Sequence, residues 1–188
     1  LDLPMDTYIS KGLIADISAL IEKDEELSKI EYMQNVFDAY SVKGKLYYVI
    51  PNFYVRTVMG KTSVLGDRTS WNIDEFQQFV DSLPEGTQAF GEQTRDAFTY
   101  MMLQYAGNDF VDVSTGKCNF DSPEFIGMLK YANTLPTEIS YEEMDGDDYW
   151  MNYQSQYRDN RTALMECYIS NIKDMSYYVN GYFGEDVT

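Results

Sequence analysis

Two short stretches set aromatic rings and polar side chains directly behind apolar runs. One is 52-NFY-54, which follows Leu46–Ile50 and Pro51; the other is Glu166, Tyr168 and Ser170, which follow 162-TALM-165. Tyrosine joins an apolar ring to a hydroxyl at its tip, so such groups can stack on a small molecule and hydrogen-bond it at once. This is the chemistry of recognition. Catalysis draws on other side chains, and most of those are missing.

The chain has no histidine and only two cysteines, Cys118 and Cys167. A zinc site, a Ser-His-Asp triad and a Cys-His pair each lack an essential member. The cysteines stand far apart in sequence, which leaves one disulfide open but favours two unrelated core thiols. No D-x-D-x-D-G loop is present to hold calcium. Asp145, Asp147 and Asp148 cluster, yet so acidic a chain produces clusters freely, and glycoside hydrolysis needs a second, opposed carboxyl group. The expectation is a protein that is not an enzyme, with no catalytic residue, metal or cofactor.

Lys and Arg number 14 against 31 Asp and Glu, a net charge of −17, so neither nucleic acid nor an anionic membrane surface suits this chain as a partner. At 188 residues, 44% hydrophobic and 24% charged, the composition is globular and fits one ordinary domain or two small ones. The 17 tyrosines exceed what a core needs and point to a binding surface. No apolar run is long enough to span a bilayer. The chain begins at Leu1 with neither an initiator Met nor a signal peptide, and 184-GEDVT-188 reads as the approach to a strand. A piece of a longer protein is expected.

These residues must be positioned by an alternation of helices and strands. Residues 4–40 read as helical, with Gly12 a stop after Met5–Lys11, Asp16 an N-cap and a break at Lys23–Glu26. Leu46–Ile50 is so continuously apolar that it predicts a central strand, ended by Pro51, and Val55–Met59 resumes a β pattern. Asn72 with Glu75 forms a capping box before the apolar stripe Ile73, Phe76, Phe79, Val80 and Leu83. A helix follows over Thr94–Ala106, then two short strands about Thr115-Gly116. Another helix is capped by Asp121 or Ser122, with Pro123 at its first position. Residues 141–160 read as loop then helix, Thr162–Cys167 as a strand and Ile172–Val179 as a short helix. The alternation predicts an α/β fold, in which ligands bind beyond the carboxyl ends of strands. That rule singles out the residues after Ile50 and after Met165.

The order of 8-YISKGLIADIS-18, 43-KGKLYYVIP-51, 70-SWNIDEF-76, 107-GNDFVDVSTGKCNFDSPEF-125 and 160-NRTALMECY-168 resembles the bacterial extracellular solute-binding proteins of the maltose-binding-protein-like group. The resemblance covers almost the whole chain. Two departures stand out: Arg68-Thr69 replaces the usual proline before the tryptophan, and Arg161 replaces a glycine before the strand. The resemblance implies a periplasmic-binding-protein-like type II lobe, a mixed sheet flanked by helices. It places residues 1–50 at the end of a first lobe and the hinge approach, and residues 51–188 in a second lobe that is cut before its return to the first.

It also implies a function. Such a protein is the substrate-binding component of an ABC importer, an extracellular or periplasmic lipoprotein. It captures a small-molecule ligand, for which the tyrosines favour a sugar, in a cleft between two lobes and presents it to a permease. Membrane attachment would come only through a lipid anchor outside this stretch. The ligand-facing positions it implies are Asn52, Phe53 and Tyr54, with less weight on Arg56; Glu166 and Tyr168; and Arg95, beside Glu92 and Gln93 at a helix start. Each has a plain alternative in hinge packing, core packing or solvation. Trp71 reads as a structural anchor, whereas Tyr149, Trp150, Tyr153 and Tyr157 read as packing or as a stacking surface. The rival functions are a surface protein-interaction domain with a vestigial cleft and, behind it, an acidic glycoside hydrolase.

Overall fold

A computed structural model describes residues 4–112, 115–139 and 147–188. The chain divides into two compact units, Leu1–Phe53 and Tyr54–Thr188.

The first unit is made of short helices. Helix α1 (Met5–Ser10) stops where Gly12 takes φ +65° and donates its N–H to the Ile9 carbonyl at 3.0 Å. Helix α2 (Ser18–Lys23) starts with the Ser18 N–H on Asp16 Oδ1 at 3.0 Å. The expected break follows, because the Asp24 carboxylate takes the N–H groups of Glu26 and Leu27, both at 2.9 Å, and starts a 3₁₀ turn at Leu27–Lys29. Helix α3 (Gln34–Tyr40) completes the unit.

Leu46–Ile50, expected as a central strand, is not one. Among the described residues only a bridge between Val42 and Lys45 flanks it, closing a turn with Lys43 and Gly44 at positive φ. Leu46 instead gives its N–H to Ser18 Oγ and accepts from the Ile17 N–H, so its backbone is satisfied at the start of α2. Leu46 is buried, but Val49 is 68% exposed. An apolar run makes a strand only where a neighbouring strand accepts its ladder.

The second unit is a mixed sheet with helices on both faces. Strands β1 (Val55–Gly60), β2 (Gln88–Phe90) and β5 (Thr162–Ile169) lie in the order β1-β5-β2. β1 runs antiparallel to β5, from Val55 opposite Ile169 to Gly60 opposite Leu164, whereas β2 runs parallel to β5. The period of two splits β5 between two cores. Leu164 joins Phe76, Phe98, Met101, Met128 and Tyr131 on one face, while Met165 and Cys167 join Met59, Tyr157, Tyr182 and Phe183 on the other. Gly60 is required where it stands, since a Cβ there would lie 2.7 Å from the Ala163 carbonyl oxygen.

Local signals account for most of the helices. Helix α5 (Ile73–Ser82), after the single turn α4 (Thr62–Leu65), carries the complete Asn72–Glu75 capping box, with both bonds at 2.9 Å. Helix α6 (Arg95–Phe110) is capped by Thr94 and runs one turn beyond Ala106. The hairpin β3 (Val111–Asp112) and β4 (Lys117–Cys118) leads to α7 (Pro123–Ala132), capped by Ser122. Helices α8 (Asp147–Arg158) and α9 (Ile172–Tyr177) flank β5, and a π turn spans Tyr178–Phe183. Trp71 packs on Phe79 at 4.7 Å between ring centroids, the anchor its position suggested. Both cysteines are free: Cys167 is a core thiol, but Cys118 is exposed, contrary to the expectation of two core thiols.

Candidate ligand-binding site

Strand β5 ends with Glu166 and Tyr168 on one face, two residues apart. Opposite them on β1 stand Val58 and Arg56, in register with Glu166 and Tyr168 respectively. Arg56 therefore reaches Glu166 diagonally across the pair, with Nε 2.6 Å from Oε1. From α6, the Tyr105 hydroxyl donates to the same oxygen at 3.1 Å, while the Tyr168 hydroxyl donates to Oε2 at 3.2 Å. Both carboxylate oxygens are thus engaged by this set.

The guanidinium lies between two rings, 5.5 Å from the Tyr105 centroid and 5.3 Å from that of Tyr168. Its hydrogen bond to Glu166 raises its pKa further, so the charge is permanent. Burial, then the Glu166 charge, raises the pKa of both the Tyr105 and the Tyr168 hydroxyl. They remain neutral donors. Tyr54 completes the group, its ring 5.4 Å from Tyr168 and tilted 59°. Tyr54 and Tyr168 are 60% and 43% exposed, so two rings face outward beside a fixed ion pair.

The backbone beneath Tyr168 is held from the side that β2 is too short to reach. The Tyr178 hydroxyl accepts from the Tyr168 N–H at 3.2 Å. Beyond it, the Asp174 carboxylate accepts from the Ser170 N–H and Oγ, both at 2.7 Å, and fixes the turn into α9. Those bonds, the Ser170 N–H first, hold the Asp174 pKa below its ordinary value.

The structure therefore brings Tyr54, Glu166 and Tyr168 together. Two of the expected positions relative to the strands are overturned. Asn52–Tyr54 do not follow a strand but precede β1, and Glu166 and Tyr168 lie within β5, which continues to Ile169. The group still sits at the carboxyl end of β5, because β1 is antiparallel and begins there. Asn52 and Phe53 are exposed and belong to the first unit. Arg95 opens α6, roughly 15 Å along the helix from Tyr105 at the usual rise per residue. It lines a groove of about 730 Å³ between α6 and α7 with Thr99, Tyr100 and Asn133. Nearby, Glu92 accepts from the Tyr149 hydroxyl at 2.8 Å; burial, then that bond, pushes the Tyr149 pKa up to about 12.

Arg56 carries less weight in the sequence reading than the structure gives it, and Tyr105 is not singled out there at all. For Arg56 a signal existed in its two-residue spacing from Tyr54, which matches that of Glu166 and Tyr168. For Tyr105 there was none. Tyr105 also lines a neighbouring cavity of about 870 Å³, whose walls include Val58, Trp71, Phe76, Phe90 and Met102.

Of the tyrosine-rich helix, Tyr157 is core and Trp150 is 63% exposed. Of the acidic cluster, Asp145 and the Asp147 side chain lie outside the described residues. No group of three or more His, Cys, Asp and Glu able to hold a metal ion occurs among the described residues. No described helix is long and apolar enough to cross a membrane.

Residues 3–184 match the family described as bacterial extracellular solute-binding protein. No curated protein matches the chain. Among solved structures, it is similar to an ABC substrate-binding protein from Listeria monocytogenes in complex with cycloalternan. There the identity is 17% over 86% of this chain and 44% of that one, with a TM-score of 0.49. It is also similar to an ABC transporter solute-binding protein from Thermotoga lettingae bound with alpha-D-tagatose, at 19% identity over 86% and 44%, TM-score 0.46. A third is a cyclo/maltodextrin-binding protein complexed with maltotetraose, at 15% identity over 97% and 46%, TM-score 0.49. The chain spans less than half the length of each of these structures.

Proposed function

Because the chain belongs to the family of bacterial extracellular solute-binding proteins, we propose that it forms part of the capture component of an ABC importer and that its solute is a carbohydrate. The observation that carries the choice of ligand is the exposed Tyr54–Tyr168 pair beside the Arg56–Glu166 ion pair. Sugars present C–H faces that stack on aromatic rings and hydroxyls that need fixed polar partners; this surface offers both. In the same reading, residues 1–50 belong to the end of a first lobe and the hinge approach and residues 51–188 to a second lobe, close to where the compact units divide, between Phe53 and Tyr54. The loaded protein delivers its solute to a permease and works outside the cytoplasm, held at the membrane by a lipid anchor.

Binding here is recognition without turnover. Glu166 acts as an organiser: it holds Arg56, Tyr105 and Tyr168 in one geometry, so little side-chain ordering remains for the ligand to impose. A thermal-shift screen of the full-length protein against mono- and oligosaccharides, polyols and amino acids tests the reading. A sugar should give the largest shift, and Tyr168→Ala should weaken that sugar about tenfold or more by calorimetry, the scale expected for losing a stacked aromatic contact. An unchanged affinity in that variant removes Tyr168 from the site. Stabilisation by amino acids alone rejects carbohydrate.

A further inference from the structure

We propose that the solute carries a carboxylate and that Arg56 binds it; the inference rests on the carbohydrate reading and narrows it to acidic sugars such as uronic or sialic acids. The argument is one of donors and acceptors. Glu166 is the carboxylate of the cluster, and three donors already occupy it: Arg56 Nε, the Tyr105 hydroxyl and the Tyr168 hydroxyl. With both oxygens engaged, it has little left to offer a sugar hydroxyl.

Arg56 is in the opposite position. Its hydrogen bond to Glu166 uses Nε, and among the described residues neither Nη makes a hydrogen bond. The side chain keeps 21% of its surface exposed. The Tyr105 and Tyr168 rings lie about the guanidinium, so its free edge is held in place. A guanidinium edge with both terminal nitrogens open matches a carboxylate through two parallel hydrogen bonds. The exposed Tyr54 and Tyr168 rings stand next to it. A pyranose stacked there can therefore direct an exocyclic carboxylate to Arg56. A neutral sugar would use the same rings but would leave the strongest donors of the site without an ionised acceptor.

The chain's net charge of −17 opposes an anion at long range. That repulsion is screened beyond roughly 8 Å at physiological ionic strength, whereas a bidentate contact at Arg56 is not. The local set is also closer to neutral than the whole, since Arg56 offsets Glu166.

Calorimetry on the full-length protein with matched pairs tests this: trigalacturonate against neutral galactotriose of the same linkage, and sialyllactose against lactose. In at least one pair the acidic member should bind about tenfold or more tightly than the neutral one. Arg56→Gln should abolish that preference by weakening the acidic member far more than the neutral one, and Arg56→Lys should restore part of it, as a retained charge without the fork. Circular dichroism melts show whether each variant is folded; if Arg56→Gln is not, the wild-type preference and Arg56→Lys carry the test. Equal or tighter binding of the neutral members overturns the acidic-sugar inference but leaves the carbohydrate reading intact. Failure of all four probes, with a non-carbohydrate solute binding instead, overturns both.

Discussion

Arg56 and Glu166 are partners across the β1–β5 ladder although neither is the other's register mate: Arg56 stands opposite Tyr168, and Glu166 opposite Val58. The 2.6 Å contact is thus a diagonal one. It ties the first strand of the second unit to its last, close to the rings that face solvent.

Coupling between the two is measurable. Arg56→Met leaves a carboxylate with only tyrosine donors, and Glu166→Gln leaves a cation without its counter-charge. Each should cost about 1–3 kcal/mol in urea unfolding, as expected for a hydrogen bond to a charged group. The double variant should cost less than their sum by at least about 0.5 kcal/mol. Strict additivity would mean that the contact is not made in solution.

The core that Leu164 joins, on the sheet face that also carries Glu166, is aromatic. Phe98 is wholly buried, and its ring lies 4.7 Å from Tyr131 and 6.0 Å from Phe76. Phe98→Ala should destabilise the protein by about 3–5 kcal/mol, from lost transfer energy and the cavity left behind. A loss below about 1 kcal/mol would place Phe98 at the surface.

The turn after β5 should respond to pH. Asp174 has a folded pKa below the ordinary 3.8, set first by the Ser170 N–H bond. Its contribution is therefore present above that ordinary value and disappears as pH falls through the lower, folded one. NMR titration should find the Asp174 carboxyl titrating below 3.8. The advantage of wild type over Asp174→Asn should be full near neutrality and vanish in acid. An advantage that grew on acidification would contradict the network.

The two thiols should differ sharply. Cys118 is exposed, whereas burial pushes the Cys167 thiol up to about 12. Because the thiolate is the reactive form, a thiol reagent at mildly alkaline pH should modify Cys118 in the native protein and reach Cys167 only on unfolding. Equal rates at both would show that the β5 core opens readily.

Helix starts and stops were legible in the sequence because they are made within one turn of chain. Asn72 with Glu75, Ser122 before Pro123, and Gly12 each satisfy or release backbone groups a few residues away. Thr162–Cys167 was legible as a strand for a related reason, although the strand runs on to Ile169: its apolar run is buried on both faces, as central strands are. The same logic failed at Leu46–Ile50, which is equally apolar but has no ladder partner among the described residues of its unit. It also missed β2, whose three residues are too few to show a period.

The sequence by itself determined the composition-level exclusions, the capped helices, and the tyrosines and Glu166 as groups suited to recognition. Only the tertiary structure decided which of them meet. Arg56 and Glu166 are 110 residues apart, and Tyr105 and Glu166 are 61. Strand direction and register are set by pairing between distant segments, and a shift of one residue would turn Arg56, Glu166 and Tyr168 to the other face. No local pattern carries that information, which is why the site could be named in part from the sequence but assembled only in the fold.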